Sequence, residues 1–183
     1  MSKINALISI VRATPDDVGG IDEVQYQAWL ATYPNDEFRV TAEDIEARFR
    51  SRRTPTMVAK RRALLSSPQP GEIRLVAKDG NRVIGYCTSI NNTEKNQLQS
   101  LYITPEYQGK GVGTALWQDG RKHLDPRRDI ELWAAVYNTK AIGFYRHLGF
   151  EETGQRDLDH QLTMKNGAII PELQMIRKAE LAS

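Results

Sequence analysis

The sequence predicts one mixed α/β domain, and three observations carry that expectation. The chain has 183 residues, enough for one full hydrophobic core and few for two. Asp79-Gly80-Asn81 marks a hairpin between two apolar runs, because such a turn needs residues that tolerate positive φ. The elements then follow in the order strand, helices, three strands, helix, strand, helix, two strands.

Residues 6–11 form a short β-branched run and read as the first strand. Thr14-Pro15-Asp16-Asp17 reads as a helix start. Thr14 caps, Pro15 brings a preset φ, and two acids meet the positive end of the helix dipole. Val18, Ile21, Val24 and Ala28 recur at helical spacing, and the helix should end near Thr32-Tyr33-Pro34. Thr41-Ala42-Glu43-Asp44 opens a second helix carrying Ile45 and Phe49, and residues 56–65 read as a third. Residues 66–71 are loop by composition. Strands at 72–78, 82–90 and 97–103 come next, then a helix over 109–124 and a strand over 130–136. A helix over 139–148 and strands over 150–157 and 170–178 complete the chain.

Hydrophobic residues make up 40% and charged residues 26%, ordinary for a soluble globular protein. A net charge of +2 calls for neither nucleic acid nor a membrane surface. Cys87 is the sole cysteine, which rules out an intramolecular disulfide and a cysteine-rich metal site. Met1–Ile8 holds no apolar run long enough for a signal peptide, and no stretch approaches the roughly 20 apolar residues of a membrane span. A cytoplasmic protein without a metal is expected.

The sharpest motif is Leu101-Tyr102-Ile103-Thr104-Pro105-Glu106-Tyr107-Gln108-Gly109-Lys110-Gly111-Val112-Gly113, a strand, a proline-marked turn, a glycine-rich segment and a helix start. Glycines at alternate positions let the backbone approach a ligand and expose its N–H groups, beside a helix's positive end. Such a place suits an anion, typically phosphate, although a tight strand-to-helix turn without a ligand explains the glycines equally well. A Walker loop is excluded because Lys110 is followed by Gly111. A Rossmann fingerprint is excluded because the loop comes late in the chain. The second motif is Asn138-Thr139-Lys140-Ala141-Ile142-Gly143-Phe144-Tyr145-Arg146-His147-Leu148-Gly149-Phe150, a capped helix with a glycine stop.

Together the two motifs resemble those of the GNAT superfamily, the Gcn5-related N-acetyltransferases. Gln108-x-x-Gly111-x-Gly113 is similar to that family's pyrophosphate loop, and Asn138-x-x-Ala141-x-x-Phe144-Tyr145-x-x-x-Gly149-Phe150 to its second motif. The resemblance is tight over residues 98–150 and extends in element order from about Ile8 to Arg177. It implies a central, mostly antiparallel sheet of six to seven strands, splayed between the fourth and fifth, with about four helices.

It also implies acetyl-coenzyme A as cosubstrate. The backbone of Leu101, Tyr102 and Ile103 would meet the pantetheine arm, as would Asn138 and Tyr145. Gln108, Gly109, Lys110, Gly111, Val112, Gly113 and Thr114 would hold the pyrophosphate. Tyr145 matches the family's catalytic proton donor to the leaving thiolate; a phenol with a pKa near about 10 stays protonated at neutral pH. A backbone amide near Tyr102 or Ile103 would hold the oxyanion. Relatives often carry a glutamate base near the position of Gln97, which cannot take a proton. The other candidate bases are Asp36, Glu37, Asp157, Asp159 and His160, none of which is assigned. With period two, Gln97 and Gln99 should share a face with Leu101 and Ile103.

On the acceptor side, Ala28-Trp29-Leu30-Ala31-Thr32-Tyr33 resembles a tryptophan–threonine–tyrosine signature of a bacterial branch that includes polyamine acetyltransferases. Tyr33, Gln97 and Gln99 are the expected substrate-binding residues, and residues 158–168 another wall. The basic stretch Arg48, Arg50, Arg52, Arg53, Lys60, Arg61 and Arg62 reads first as a solvated helical face. Its sharper readings are an acidic acceptor, a phosphate at the cofactor's adenosine end, or RNA. No aromatic interleaving supports nucleic acid, and cation-rich walls suit a polyamine poorly. The resemblance therefore implies an N-acetyltransferase acting on a small-molecule primary amine, in a family where homodimers are common. A protein or peptide N-acetyltransferase and a non-catalytic acetyl-coenzyme A-binding module are the alternatives.

Overall fold

Local capping signals place the first helices. In the computed structural model, which describes residues 8–157 and 163–180, strand β1 spans Ile8–Arg12. Residues 6 and 7 of the expected first strand lie outside the described residues. The Asp17 carboxylate accepts from the Thr14 N–H at 2.9 Å and from its hydroxyl at 3.0 Å. That clasp closes a 3-10 turn over Pro15–Asp17, and helix α1 follows over Val18–Thr32 with Val18, Ile21, Val24, Ala28 and Trp29 buried. Helix α2 spans Ala42–Arg52 behind Thr41, whose Oγ accepts from the Asp44 N–H at 3.1 Å. Helix α3 spans Pro55–Ser66.

The remaining elements are β2 (Glu72–Asp79), β3 (Arg82–Asn91), β4 (Asn96–Ile103), α4 (Val112–Arg121), β5 (Ile130–Ala135), α5 (Thr139–His147), β6 (Glu151–Asp157) and β7 (Glu172–Arg177). Two expectations shift. Among the described residues five α-helices form, the number that the residue pattern gives and one more than the four or so that the resemblance implies; Thr54, ahead of Pro55, is extended (φ −66°, ψ 147°) and divides α2 from α3. Helix α4 begins at Val112 rather than Gly109, since Gly109 and Gly111 take φ values of +73° and +85° that no right-handed helix contains.

All seven strands join one sheet in the order β1-β2-β3-β4-β5-β7-β6. Neighbours are antiparallel except β4 and β5, which run parallel and pair only at Gln97 and Glu131. Past that pair the two strands diverge, giving the expected splay between the fourth and fifth strands. Apolar side chains fill both faces. On one, Leu116 and Trp117 of α4 and Tyr145 of α5 pack with Leu98, Leu132, Phe150 and Met175. A Cβ on Gly120 would lie 2.9 Å from both Cys87 Sγ and Ser89 Oγ, so only glycine lets α4 sit this close to β3. On the other face Trp29, Tyr33, Ile45 and Phe49 pack with Ala135, Met164 and Ile170. Among the described residues no helix is long and apolar enough to cross a membrane.

Candidate active site

The splay opens because β4 changes register in mid-strand. Thr88 of β3 faces Ser100 and Ser89 faces Leu98, so Gln99 is an extra residue bulged out of the ladder. This corrects the period-two expectation. Leu98, Leu101 and Ile103 turn toward α4, whereas Gln97, next to Leu98, points to the opposite face. Gln97 is buried and its amide oxygen has no hydrogen-bond partner among the described residues, while Gln99 is exposed. Both still line the groove between β4 and β5, with Leu101, Tyr102 and Ile103. Those last residues pair with β3 on one side only, so their other backbone groups open to the gap.

At the far end of β4 the glycine loop turns into α4. The Gln108 side chain donates from Nε2 to the Ile103 carbonyl at 3.3 Å, and Tyr107 donates its hydroxyl to Asp79 at 2.6 Å, which ties the loop to the β2–β3 hairpin. Lys110 Nζ lies 4.9 Å above the Tyr107 ring. The first main-chain bond of α4 runs from Ala115 N–H to the Gly111 carbonyl at 3.0 Å. The N–H groups of Val112, Gly113 and Thr114 thus emerge from the helix end, and no side chain caps it. Gly113 lies against α5, where a Cβ would stand 3.3 Å from Phe144 Cζ. Asn138 caps α5 by accepting from the Ala141 N–H at 3.1 Å, leaving its amide N–H groups for the groove it lines.

Phenols cluster where β4 and β5 part. Tyr145 is buried, yet it borders the groove and no described residue hydrogen-bonds its hydroxyl. Tyr33 Oη lies 3.5 Å from Tyr102 Oη, and Tyr137 donates to the Tyr33 carbonyl at 3.1 Å. Burial pushes the Tyr33, Tyr102 and Tyr145 phenols above their ordinary range, and their mutual repulsion adds to this for Tyr33 and Tyr145. All three are protonated at neutral pH.

Sequence reasoning missed Glu172, at the start of β7 opposite Ala135. It lines the groove, and its charge raises the pKa of Tyr33, Tyr102 and Tyr145. Its only mark in the sequence is alternation, Glu172 and Gln174 between buried Leu173 and Met175. Nothing local says that β7 inserts between β5 and β6. Of the expected bases, Asp36 and Glu37 are exposed and do not line the groove. Asp159, His160 and the Asp157 side chain lie outside the described residues, as do 158–162 of the expected acceptor wall. Met164 and Ala168 of that wall pack beneath Trp29 and Tyr33.

The groove measures about 1990 Å³ and continues from the phenols toward α2 and α3. There the basic stretch divides. Arg50, Arg53, Lys60 and Arg62 are exposed, as a solvated face requires, but Arg48, Arg52 and Arg61 are half-buried and line the groove. The Arg48 guanidinium stacks 5.1 Å above the Trp29 ring, which meets Tyr33 edge-on at 4.9 Å.

A family model described as the Acetyltransferase (GNAT) family matches residues 26–150. An uncharacterised N-acetyltransferase of Methanocaldococcus jannaschii is 39% identical over 71 residues, 36% of this chain and 31% of that protein. A peptidyl-lysine N-acetyltransferase of Salmonella typhimurium is 31% identical over 62 residues, 34% of this chain and 41% of its own. The matches thus span less than half the length of these curated relatives. The crystal structure of PaiA N-acetyltransferase from Thermoplasma acidophilum, in complex with coenzyme A, superposes with a TM-score of 0.71 at 21% identity. That superposition covers 93% of this chain and 98% of the other, and it is a likeness of fold.

Proposed function

This chain belongs to the GNAT family of acetyltransferases, and from that premise we propose that it moves the acetyl group of acetyl-coenzyme A to a primary amine of a small molecule, by direct attack with both substrates bound. One observation carries the reading: an uncapped helix end at Gly111–Thr114 adjoins an open strand edge at Leu101–Ile103, with the free Tyr145 hydroxyl in the same groove. An anion seeks the first, an amide-bearing arm the second, and a departing thiolate the third.

Bound acetyl-coenzyme A supplies an activated acyl carbon and a thiolate leaving group. The amides of Val112, Gly113 and Thr114 hold its pyrophosphate, with Gly109 and Gly111 shaping the turn. Backbone N–H groups of the open β4 edge near Tyr102 and Ile103 face the oxygen on which negative charge develops. The amine nitrogen bonds to the acyl carbon, the carbon–sulfur bond breaks, and Tyr145 gives its proton to the sulfur.

The amine must also lose a proton. Gln97 cannot take it, but its buried amide oxygen accepts a hydrogen bond from the amine or from a water beside it. Glu172 is the one carboxylate lining the groove among the described residues, and we assign it the proton. Tyr33 and Trp29 form the apolar side of the acceptor pocket.

Release of free thiol from acetyl-coenzyme A, followed over a panel of small amines, amino sugars and lysine peptides, tests the reading. Turnover of small amines is expected. Turnover confined to peptides would replace the small-molecule acceptor with a protein one. Tight binding of acetyl-coenzyme A without turnover of any amine would make the chain a binding module.

A further inference from the structure

Among the described residues, the guanidinium groups of Arg52, Arg53 and Arg61 outnumber the carboxylates that pair with them. Three guanidinium groups converge on Asp22, which is only 4% exposed: Arg61 Nη1 at 2.7 Å, Arg53 Nε at 3.2 Å and Arg52 Nε at 3.3 Å. Arg53 also reaches Glu23 at 3.0 Å. Among the described residues, three cations therefore share two carboxylates, which leaves an excess of one positive charge in this cluster. It falls at the groove, because Arg53 is exposed whereas Arg52 and Arg61 line the cavity.

Arg52 is the least satisfied of the three. Its buried Nε is near Asp22 but out of line for a hydrogen bond. Burial and then the charge of Arg61 push its pKa down, which is the mark of a cation short of negative charge. Around it the groove presents hydroxyl donors, with Tyr86, Thr88 and Ser100 on the facing strands.

We propose that this end of the groove is an anion subsite, and that the accepted amine carries a carboxylate or a phosphate at its far end. The proposal rests on the acetyl transfer assigned above. The cofactor's pyrophosphate is not the anion in question. It is assigned to the N-terminus of α4, which packs with α5 on one face of the sheet, whereas Arg52 and Arg61 come from the α1 side. The subsite joins the acyl-transfer centre through Arg48 over Trp29, Trp29 against Tyr33, and Tyr33 beside Tyr102. An amine bound there by its anion would extend along this aromatic wall toward Gln97 and Glu172. A polyamine would instead bring a second cation to the arginines.

The test is a length-matched set of acceptors: pentylamine, 1,5-diaminopentane, 5-aminopentanoate and 5-aminopentyl phosphate. Since a hydrogen bond to a charged group is worth about 1.5–3 kcal/mol, the anionic acceptors should exceed pentylamine in kcat/KM by about 10- to 100-fold. The advantage should shrink as salt is raised. The two anionic arms distinguish carboxylate from phosphate. Arg52→Gln should remove most of the preference while leaving the KM for acetyl-coenzyme A unchanged, and Arg52→Lys should restore part of it. Equal or better turnover of 1,5-diaminopentane, or a preference unaltered in Arg52→Gln, would overturn the subsite. So would acceptance of lysine in an acidic peptide when both small anionic amines are refused. If no amine is acetylated at all, the proposed activity fails, and calorimetry on the protein saturated with coenzyme A then reads the subsite alone. Binding of 5-aminopentanoate or 5-aminopentyl phosphate, with none of 1,5-diaminopentane, supports it; binding of neither anion overturns it.

Discussion

Replacing Tyr145 by phenylalanine removes one oxygen and leaves the packing of the ring intact. The ring contacts Phe150 at 6.0 Å between centroids and Phe144 at 5.5 Å, and phenylalanine can keep both. No described residue hydrogen-bonds the hydroxyl, so none of them loses a partner, and stability should change by less than about 0.5 kcal/mol. The effect on turnover should be far larger. Protonation of a leaving group by a placed acid contributes about 10²- to 10⁴-fold, or about 2.7–5.5 kcal/mol in the barrier. Turnover should fall by that factor, with the KM for acetyl-coenzyme A nearly unchanged. Thiol release can be followed with a thiol-reactive chromophore, because Cys87 is 1% exposed, its thiol is pushed up to about 12, and it stays silent in the native protein. The pH profile adds a second readout. Burial raises the Tyr145 pKa, so the wild type should show no alkaline fall in rate until above about pH 10. Unchanged turnover in Tyr145→Phe would assign the proton to another group or to water, and the proposed acid would be wrong.

Gly111→Arg should abolish acetyl-coenzyme A binding, measured by calorimetry, since it forces a side chain onto a φ of +85° and into the anion site at the α4 N-terminus; equal affinity would sink the loop assignment. Glu172→Gln should lower kcat/KM most at neutral pH and least at high pH, where the amine loses its proton to solvent. A uniform loss at every pH would make Glu172 a positioning residue. Asp17→Asn should lower stability at neutral pH by about 1–2 kcal/mol in denaturant unfolding, by loosening the contacts to Thr14 and to Lys78 at 2.6 Å. Burial alone would raise the Asp17 carboxyl, but its bonds to Lys78 and Thr14 outweigh that and hold it below its ordinary value. Its contribution is therefore full above about pH 4 and is lost as pH falls through the lowered pKa, a loss that the asparagine variant should not show.

The cofactor half of the groove was legible in the chain because each of its devices is local. Thr14, Thr41 and Asn138 announce helix starts through bonds to residues three positions away. Gly109 and Gly111 announce a backbone shape that other residues adopt only under strain. The spacing of Gln108, Gly111 and Gly113, with Asn138–Phe150 downstream, carries the family resemblance, and that resemblance implied the splayed sheet and the anion site proposed at α4.

The acceptor half was not legible, since each of its parts depends on pairings between distant residues. The bulge at Gln99 exists only in register with β3, and that register, rather than simple alternation, decides that Gln97 and Leu101 face opposite sides. Glu172 reaches the groove because β7 inserts beside β5. The stretch Arg48–Arg62 reads as one charged surface in sequence, but packing against Asp22 and Trp29 selects Arg48, Arg52 and Arg61 and turns them inward. By itself the sequence determined where the backbone takes the positive φ and the uncapped helix start that the proposed phosphate site uses, because φ and capping are properties of neighbouring residues. Only the tertiary structure decided which charges face the acceptor, because burial and desolvation are set by what the rest of the chain brings alongside.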